Sequence, residues 1–163
     1  MKTFTIFITD DDDDDFLLLS DAFKGLSPNY HFKHLKDGEE LINTLIQSPG
    51  VQETLPDMII LDYNMPRKNG LDTLIQIRKD SNLMSTPVII YSTSNSQDLH
   101  RIMIANGANG FVTKNCSIYE MDSFVRGIDS YLRGTGEMPG KNYKNTMPFF
   151  SSFRHNSTFQ KTN

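Results

Sequence analysis

The chain reads as an α/β fold, a parallel sheet covered by helices on both faces, and two features of its 163 residues lead there. Short apolar or alternating runs of strand length take turns, five times over, with stretches whose apolar residues recur at three- and four-residue spacing. Strands separated by helices pair in parallel through right-handed crossovers, and the helices then cover the sheet on both sides. The length suits one domain with room for a modest tail.

The elements follow in order. Phe4, Ile6 and Ile8 alternate as a strand, and from Asp12 to Leu26 the residues Phe16, Leu19, Phe23 and Leu26 fall at helical spacing. "YHFKHL" (30–35) alternates as a second strand, and "DGEELINTLIQS" (37–48) sets Leu41, Ile42, Leu45 and Ile46 on one helical face. "VQETLPDMIILDY" ends in the continuous apolar run of a strand buried on both faces. After "NMPRKNG" a helix from about Leu71 to Lys79 presents Leu71, Leu74 and Ile75, and "TPVIIYST" is the fourth strand, with Pro87 at its mouth where a missing N–H is tolerated. A fourth helix spans about Gln97 to Asn106, Gly107 and Gly110 bracket the turn into the short strand "GFVTK", and residues 118–132 carry Met121, Phe124, Val125 and Ile128 as the last helix.

Composition narrows the function. The net charge is −4, and the halves are unequal: residues 134–163 sum to +3, leaving −7 on the rest. An acidic body argues against nucleic acid, whose binding needs basic patches that release phosphate counterions. The run Phe4 to Ile8 is too short for a membrane span or a signal sequence, so no membrane partner and a cytoplasmic location are expected. The single Cys116 forms no internal disulfide, in keeping with a reducing compartment, and no Cys/His metal spacing is present.

In open parallel sheets, ligands bind beyond the carboxyl ends of the strands. The residues there are Asp10 and Asp11 after the first strand, Asp62 after the third, Ser92 after the fourth and Lys114 after the fifth. Topology therefore gathers three carboxylates, a hydroxyl and an ammonium. Two like charges about 4 Å apart repel by about 4 kcal/mol at an effective dielectric of about 20, so such a cluster needs a compensating cation. Mg²⁺ takes one or two carboxylates plus waters and phosphate oxygens. Asp11 and Asp62 are placed to bind it directly, with Asp10 acting through water. A carboxylate can also act as a nucleophile toward phosphorus where metal and cation offset the moving charge, and Lys114 supplies the cation.

In "IFITDD", "MIILDYNMPRKNG", "PVIIYST" and "GFVTK", in that order across about residues 3–133, the chain resembles the response-regulator receiver domain of two-component signalling. The resemblance implies a doubly wound, flavodoxin-like sheet of five parallel strands in the order 2-1-3-4-5 with five helices. It implies that Asp62 accepts a phosphoryl group from a sensor histidine kinase or a histidine phosphotransfer protein. It also implies that Asp10, Asp11 and the backbone carbonyl of Asn64 hold Mg²⁺, that Lys114 contacts the phosphoryl group, that Ser92 is the switch hydroxyl, and that Phe111 stands where the family keeps a mobile aromatic. Receivers usually follow the lysine with a proline, commonly in a cis bond; here Asn115 follows, which changes the expectation for that loop.

Plainer roles compete for each residue. Asp12 to Asp15 read as helix-start acids that favour the helix dipole, not as ligands. Ser92 shares its neighbourhood with Thr93 and Ser94, any of which can cap the next helix. Phe111 reads as half-buried packing, and His31, His34, His100 and His155 show no catalytic spacing. Two other functions share this architecture. A haloacid-dehalogenase-like phosphatase needs a second acid two positions after its nucleophile, where this chain has Asn64, and a flavodoxin-like module cradles phosphate after the first strand, where this chain has aspartates. The expectation is therefore a stand-alone receiver over residues 1–133 that catalyses only its own phosphorylation and dephosphorylation, as a phosphorelay intermediate or a regulator by contact with a downstream protein. The segment 134–163 is expected to be a flexible tail without an output domain, although Phe149, Phe150, Phe153 and Phe159 give it something to dock with.

Overall fold

Ten elements alternate along the computed structural model: β1 (Phe4–Thr9), α1 (Asp13–Leu26), β2 (Tyr30–Leu35), α2 (Gly38–Ile46), β3 (Met58–Asp62), α3 (Gly70–Lys79), β4 (Val88–Ser92), α4 (Gln97–Ala105), β5 (Gly110–Thr113) and α5 (Ile118–Leu132). The structure describes residues 2–46, 55–114 and 117–140; Asn115, Cys116, and the tail from residue 141 with its four phenylalanines lie outside them. The strands form one parallel sheet in the order β2-β1-β3-β4-β5, as the family resemblance implies.

The period of two along each strand divides the core. Ile6, Ile8 and Ile60 face α1 and α5, where Leu19, Phe23, Phe124 and Ile128 close over them. Phe7, Ile59 and Leu61 face the opposite side, beneath Leu41 of α2, Leu74 of α3 and Met103 of α4. The central strands β3 and β4 are buried at every residue, which accounts for their unbroken apolar sequence.

Capping explains the helix starts. Asp12 is the N-cap of α1 and accepts the Asp14 N–H, so that helix begins at Asp13. Asn69 caps α3 through the Asp72 N–H, and Ser117 with Glu120 forms a capping box on α5. The N-cap of α4 is Ser96, which accepts the Leu99 N–H; Ser92, Thr93 and Ser94 do not fill that role.

Ordered packing continues past the boundary placed at residue 133. Met138 is buried in the core beneath α1 and α5. Pro139 lies in a notch between Gly110 of β5 and Gly127 of α5: a Cβ on Gly110 would come 2.1 Å from the Pro139 carbonyl oxygen, and one on Gly127 would come 2.9 Å from Pro139 Cγ. The Phe111 N–H, on the free edge of the sheet, donates to the Gly140 carbonyl at 3.1 Å. Residues 138–140 thus form a strap that satisfies part of an otherwise open strand edge. No helix among the described residues is long and apolar enough to cross a membrane.

Candidate functional site

Register assembles the site. Thr9 pairs with Leu61, so the next residues, Asp10 and Asp62, leave adjacent strands side by side; Ser92 pairs with Thr113, which brings Lys114 to the same end of the sheet. One carboxylate oxygen from each of Asp10, Asp11 and Asp62 lies within 4.8 Å of the others. Asp10 and Asp62 are buried, whereas Asp11 is exposed at the rim.

Each acid is held by its surroundings. Asp10 accepts the Asp12 N–H at 3.1 Å, and its carbonyl receives the His34 Nε2–H at 2.9 Å, with the His34 ring stacked on Phe16. Asp62 accepts the Tyr63 N–H at 2.7 Å and also the backbone N–H of Asn64, a residue whose side chain faces solvent. Lys114, its side chain only 7% exposed, places Nζ 2.7 Å from Asp10, 2.9 Å from Asp15 and 3.5 Å from Asp62. The Tyr91 ring lies below that ammonium, at 5.7 Å.

The electrostatics show incomplete neutralisation. Burial pushes the Asp62 carboxyl up to about 6; Lys114 lowers it, the Asp10 charge raises it, and the two backbone N–H groups lower it again. Burial likewise raises Asp10 above the usual carboxylate range, against hydrogen bonding and attraction from Lys114. On Lys114 burial acts downward, but hydrogen bonds to Asp10 and Asp15 and the charges of Asp10 and Asp62 outweigh it, so the ammonium is kept firmly protonated. Three converging carboxylates of this kind suit a hard divalent cation, whose charge would relieve the strain that one lysine leaves.

Ser92 and Phe111 stand one layer away. The Ser92 hydroxyl is buried and accepts the Ser94 N–H at 3.2 Å, while its carbonyl accepts the Lys114 N–H at 2.8 Å. Phe111 is fully buried, not half-buried: α4 covers it, and His100 of that helix meets its ring edge-on with centroids 5.5 Å apart. His100 therefore has a packing role.

Sequence reasoning missed Asp15. The signal was present, because Asp15, Leu19 and Phe23 recur every four residues along α1, which puts that one acid on the inward stripe. Asp13 points to solvent with its side chain 75% exposed, against 28% for Asp15.

Comparison with known proteins agrees with this geometry. The pattern of the response regulator receiver domain matches residues 6–126. The Probable methanogenesis regulatory protein FilR2 of Methanothrix harundinacea is 29% identical, over 84% of this chain and 88% of that protein. Among solved structures, the phosphorylated cyanobacterial phytochrome response regulator RcpA superposes with a TM-score of 0.74 at 27% identity, covering 85% of this chain and 99% of its own. The Mn²⁺-bound form of Rcp1, a response regulator of Synechocystis, gives 0.71 at 25% identity, over 84% and 99% of the two chains. By the span of that pattern, the parallel topology and the acids gathered at the sheet's carboxyl end, the chain belongs to the response regulator receiver domain family, the phosphorylation-dependent switches of two-component signalling.

Proposed function

We propose that Asp62 accepts a phosphoryl group from a phosphohistidine, carried by a sensor kinase or a histidine phosphotransfer protein, with Mg²⁺ as cofactor. The observation that carries this reading is the position of Asp62: a carboxylate at the end of a fully buried strand, beside two further acids and within 3.5 Å of a buried ammonium. Asp10, Asp11 and Asp62, with the Asn64 carbonyl, are the groups that would hold the ion. When bound, Mg²⁺ supplies positive charge that orients the phosphoryl oxygens and offsets their charge.

In the transfer, an Asp62 carboxylate oxygen bonds to phosphorus as the phosphorus–nitrogen bond of the donor breaks, and the electron pair returns to the imidazole, which takes up a proton. Lys114 donates an N–H to a phosphoryl oxygen. Later a water oxygen replaces the aspartyl oxygen on phosphorus, releasing inorganic phosphate and restoring the carboxylate. The chain turns over no outside substrate. Exposed apolar side chains on the two helices that follow Asp11 and Lys114 in the chain, Leu17 and Leu18 on α1 with Ile118 and Tyr119 on the first turn of α5, support approach of a protein donor there. Such a donor and the single cysteine fit a cytoplasmic setting.

The phosphoryl group brings about −1.5 to −2 charge and three acceptor oxygens. The Ser92 hydroxyl turns from the Ser94 N–H toward those oxygens, Phe111 repacks against α4, and the altered surface of α4, β5 and α5 meets a downstream protein. Incubation with acetyl phosphate and Mg²⁺, read by intact mass, tests the assignment. One phosphoryl adduct on the wild type and none on Asp62→Asn is the expected result; equal labelling of both overturns it.

A further inference from the structure

We infer that Asp15 is a positioning residue for Lys114: with Asp10 it anchors two of the ammonium N–H groups, so that the third stays directed at the phosphoryl group on Asp62. The inference rests on the phosphoryl-accepting reading of Asp62. A lysine ammonium has three donors and no acceptor. The separations of 2.7 Å to Asp10 and 2.9 Å to Asp15 are those of charge-assisted hydrogen bonds, whereas 3.5 Å to Asp62 is longer than one. Two donors are therefore committed, and one remains beside the atom that is to carry phosphorus.

The anchors come from different elements, the end of β1 and the first turn of α1, so a flexible four-carbon stem is fixed from two sides. Helix capping does not account for Asp15, because Asp12 already caps α1. Its charge alone predicts a different outcome from positioning. A further carboxylate near the site repels an incoming phosphoryl anion, so on charge grounds its removal strengthens anion binding. Positioning predicts the opposite sign.

Calorimetric titration of beryllofluoride with Mg²⁺, a phosphoryl mimic that needs no turnover, separates the two, with thermal melts checking the fold of each variant. Asp15→Ala is expected to bind beryllofluoride about tenfold more weakly, the worth of one hydrogen bond to a charged group. Asp15→Asn, whose amide oxygen still accepts the Lys114 N–H, is expected to keep its affinity to within about threefold. If Asp15→Ala does not fold, Asp15→Ser takes its place, since a short hydroxyl does not span the gap. Affinity in Asp15→Ala equal to or above wild type, or an Asp15→Asn no better than Asp15→Ala, overturns the inference while leaving the role of Asp62 intact. A wild type that neither takes phosphoryl on Asp62 nor binds the mimic removes both.

Discussion

Two buried carboxylates border the short loop of residues 63–69, Asp62 at its start and Asp37 packed against it from the β2–α2 connection, and they are treated in opposite ways. Asp37, wholly buried ahead of α2, accepts the Glu39 and Glu40 N–H groups on one oxygen at 2.8 and 2.9 Å, while its other oxygen lies in an ion pair with the Arg67 guanidinium. Asp62, 4% exposed, also receives two backbone N–H groups, but it shares one lysine with Asp10 and Asp15. Burial is common to both; neutralisation is not. The region around Asp37 is a closed joint, in which the Gly38 N–H donates to the Lys68 carbonyl and a Cβ on Gly38 would fall 1.7 Å from Thr73 Oγ1. The end of β3 is left short of positive charge, a deficit that a bound cation would offset.

The sharpest test of the contrast is to neutralise each acid in turn, without metal, and follow unfolding in urea. Asp37→Ala removes a cap with two backbone bonds and strands a buried environment built for charge, so a loss of about 3 to 4 kcal/mol is expected. Asp62→Asn at neutral pH is expected to leave the protein as stable as the wild type or more so, because it removes an under-compensated charge. Equal destabilisation by both changes would erase the distinction.

The pH dependence follows from the same deficit. The Asp62 carboxyl rises from 3.8 to about 6 on folding, so the folded state holds the proton more tightly. Its stabilising effect is complete below the unfolded value and is lost as pH climbs through about 6. In metal-free protein the wild type should lose about 2 to 3 kcal/mol across that window, and Asp10, raised in the same direction, adds to the slope. Urea melts at several pH values check this. Asp62→Asn is expected to flatten the curve, and saturating Mg²⁺, binding the folded state alone, to lift its alkaline side.

A smaller effect is expected away from the acids. Gly127→Val removes the notch that takes Pro139, so the strap should lift from β5 at a cost of about 1 to 2 kcal/mol, with faster amide exchange at Phe111 while Asp62 chemistry is unchanged. Retained protection at Phe111 would mean that the Gly140 carbonyl is not what shields it.

What could be read in advance divides along physical lines. Asp10, Asp62 and Lys114 were legible because each directly follows an apolar run, and a parallel sheet brings such ends together whatever lies between them. Asp15 was legible in principle, through its four-residue spacing to Leu19, but a run of six like residues masked the one helix-start acid, among Asp12 to Asp15, that reaches Lys114. Residues 138–140 carry no periodicity at all: their place is decided by two glycines, 110 and 127, which belong to different elements. The partnership of Asp37 and Arg67 depends on a loop conformation, and local pattern says nothing about that.

Arg67 sharpens the comparison with the smallest expected change. It adopts φ 59°, the left-handed region that costs a residue bearing a Cβ about 1 to 2 kcal/mol and glycine almost nothing. Its guanidinium is 61% exposed, so the pair with Asp37 gives back only part of what a fully buried pair would. Arg67→Gly therefore relieves the backbone and removes the partner at once, and the two effects should nearly cancel, within about 1 kcal/mol in urea melts. A loss above about 3 kcal/mol would instead show that Asp37 depends on the guanidinium more than on its two backbone donors. In that case the joint beneath the β3–α3 loop is held by charge, as the site above it is, and the difference between the two acids lies only in how completely each is paired.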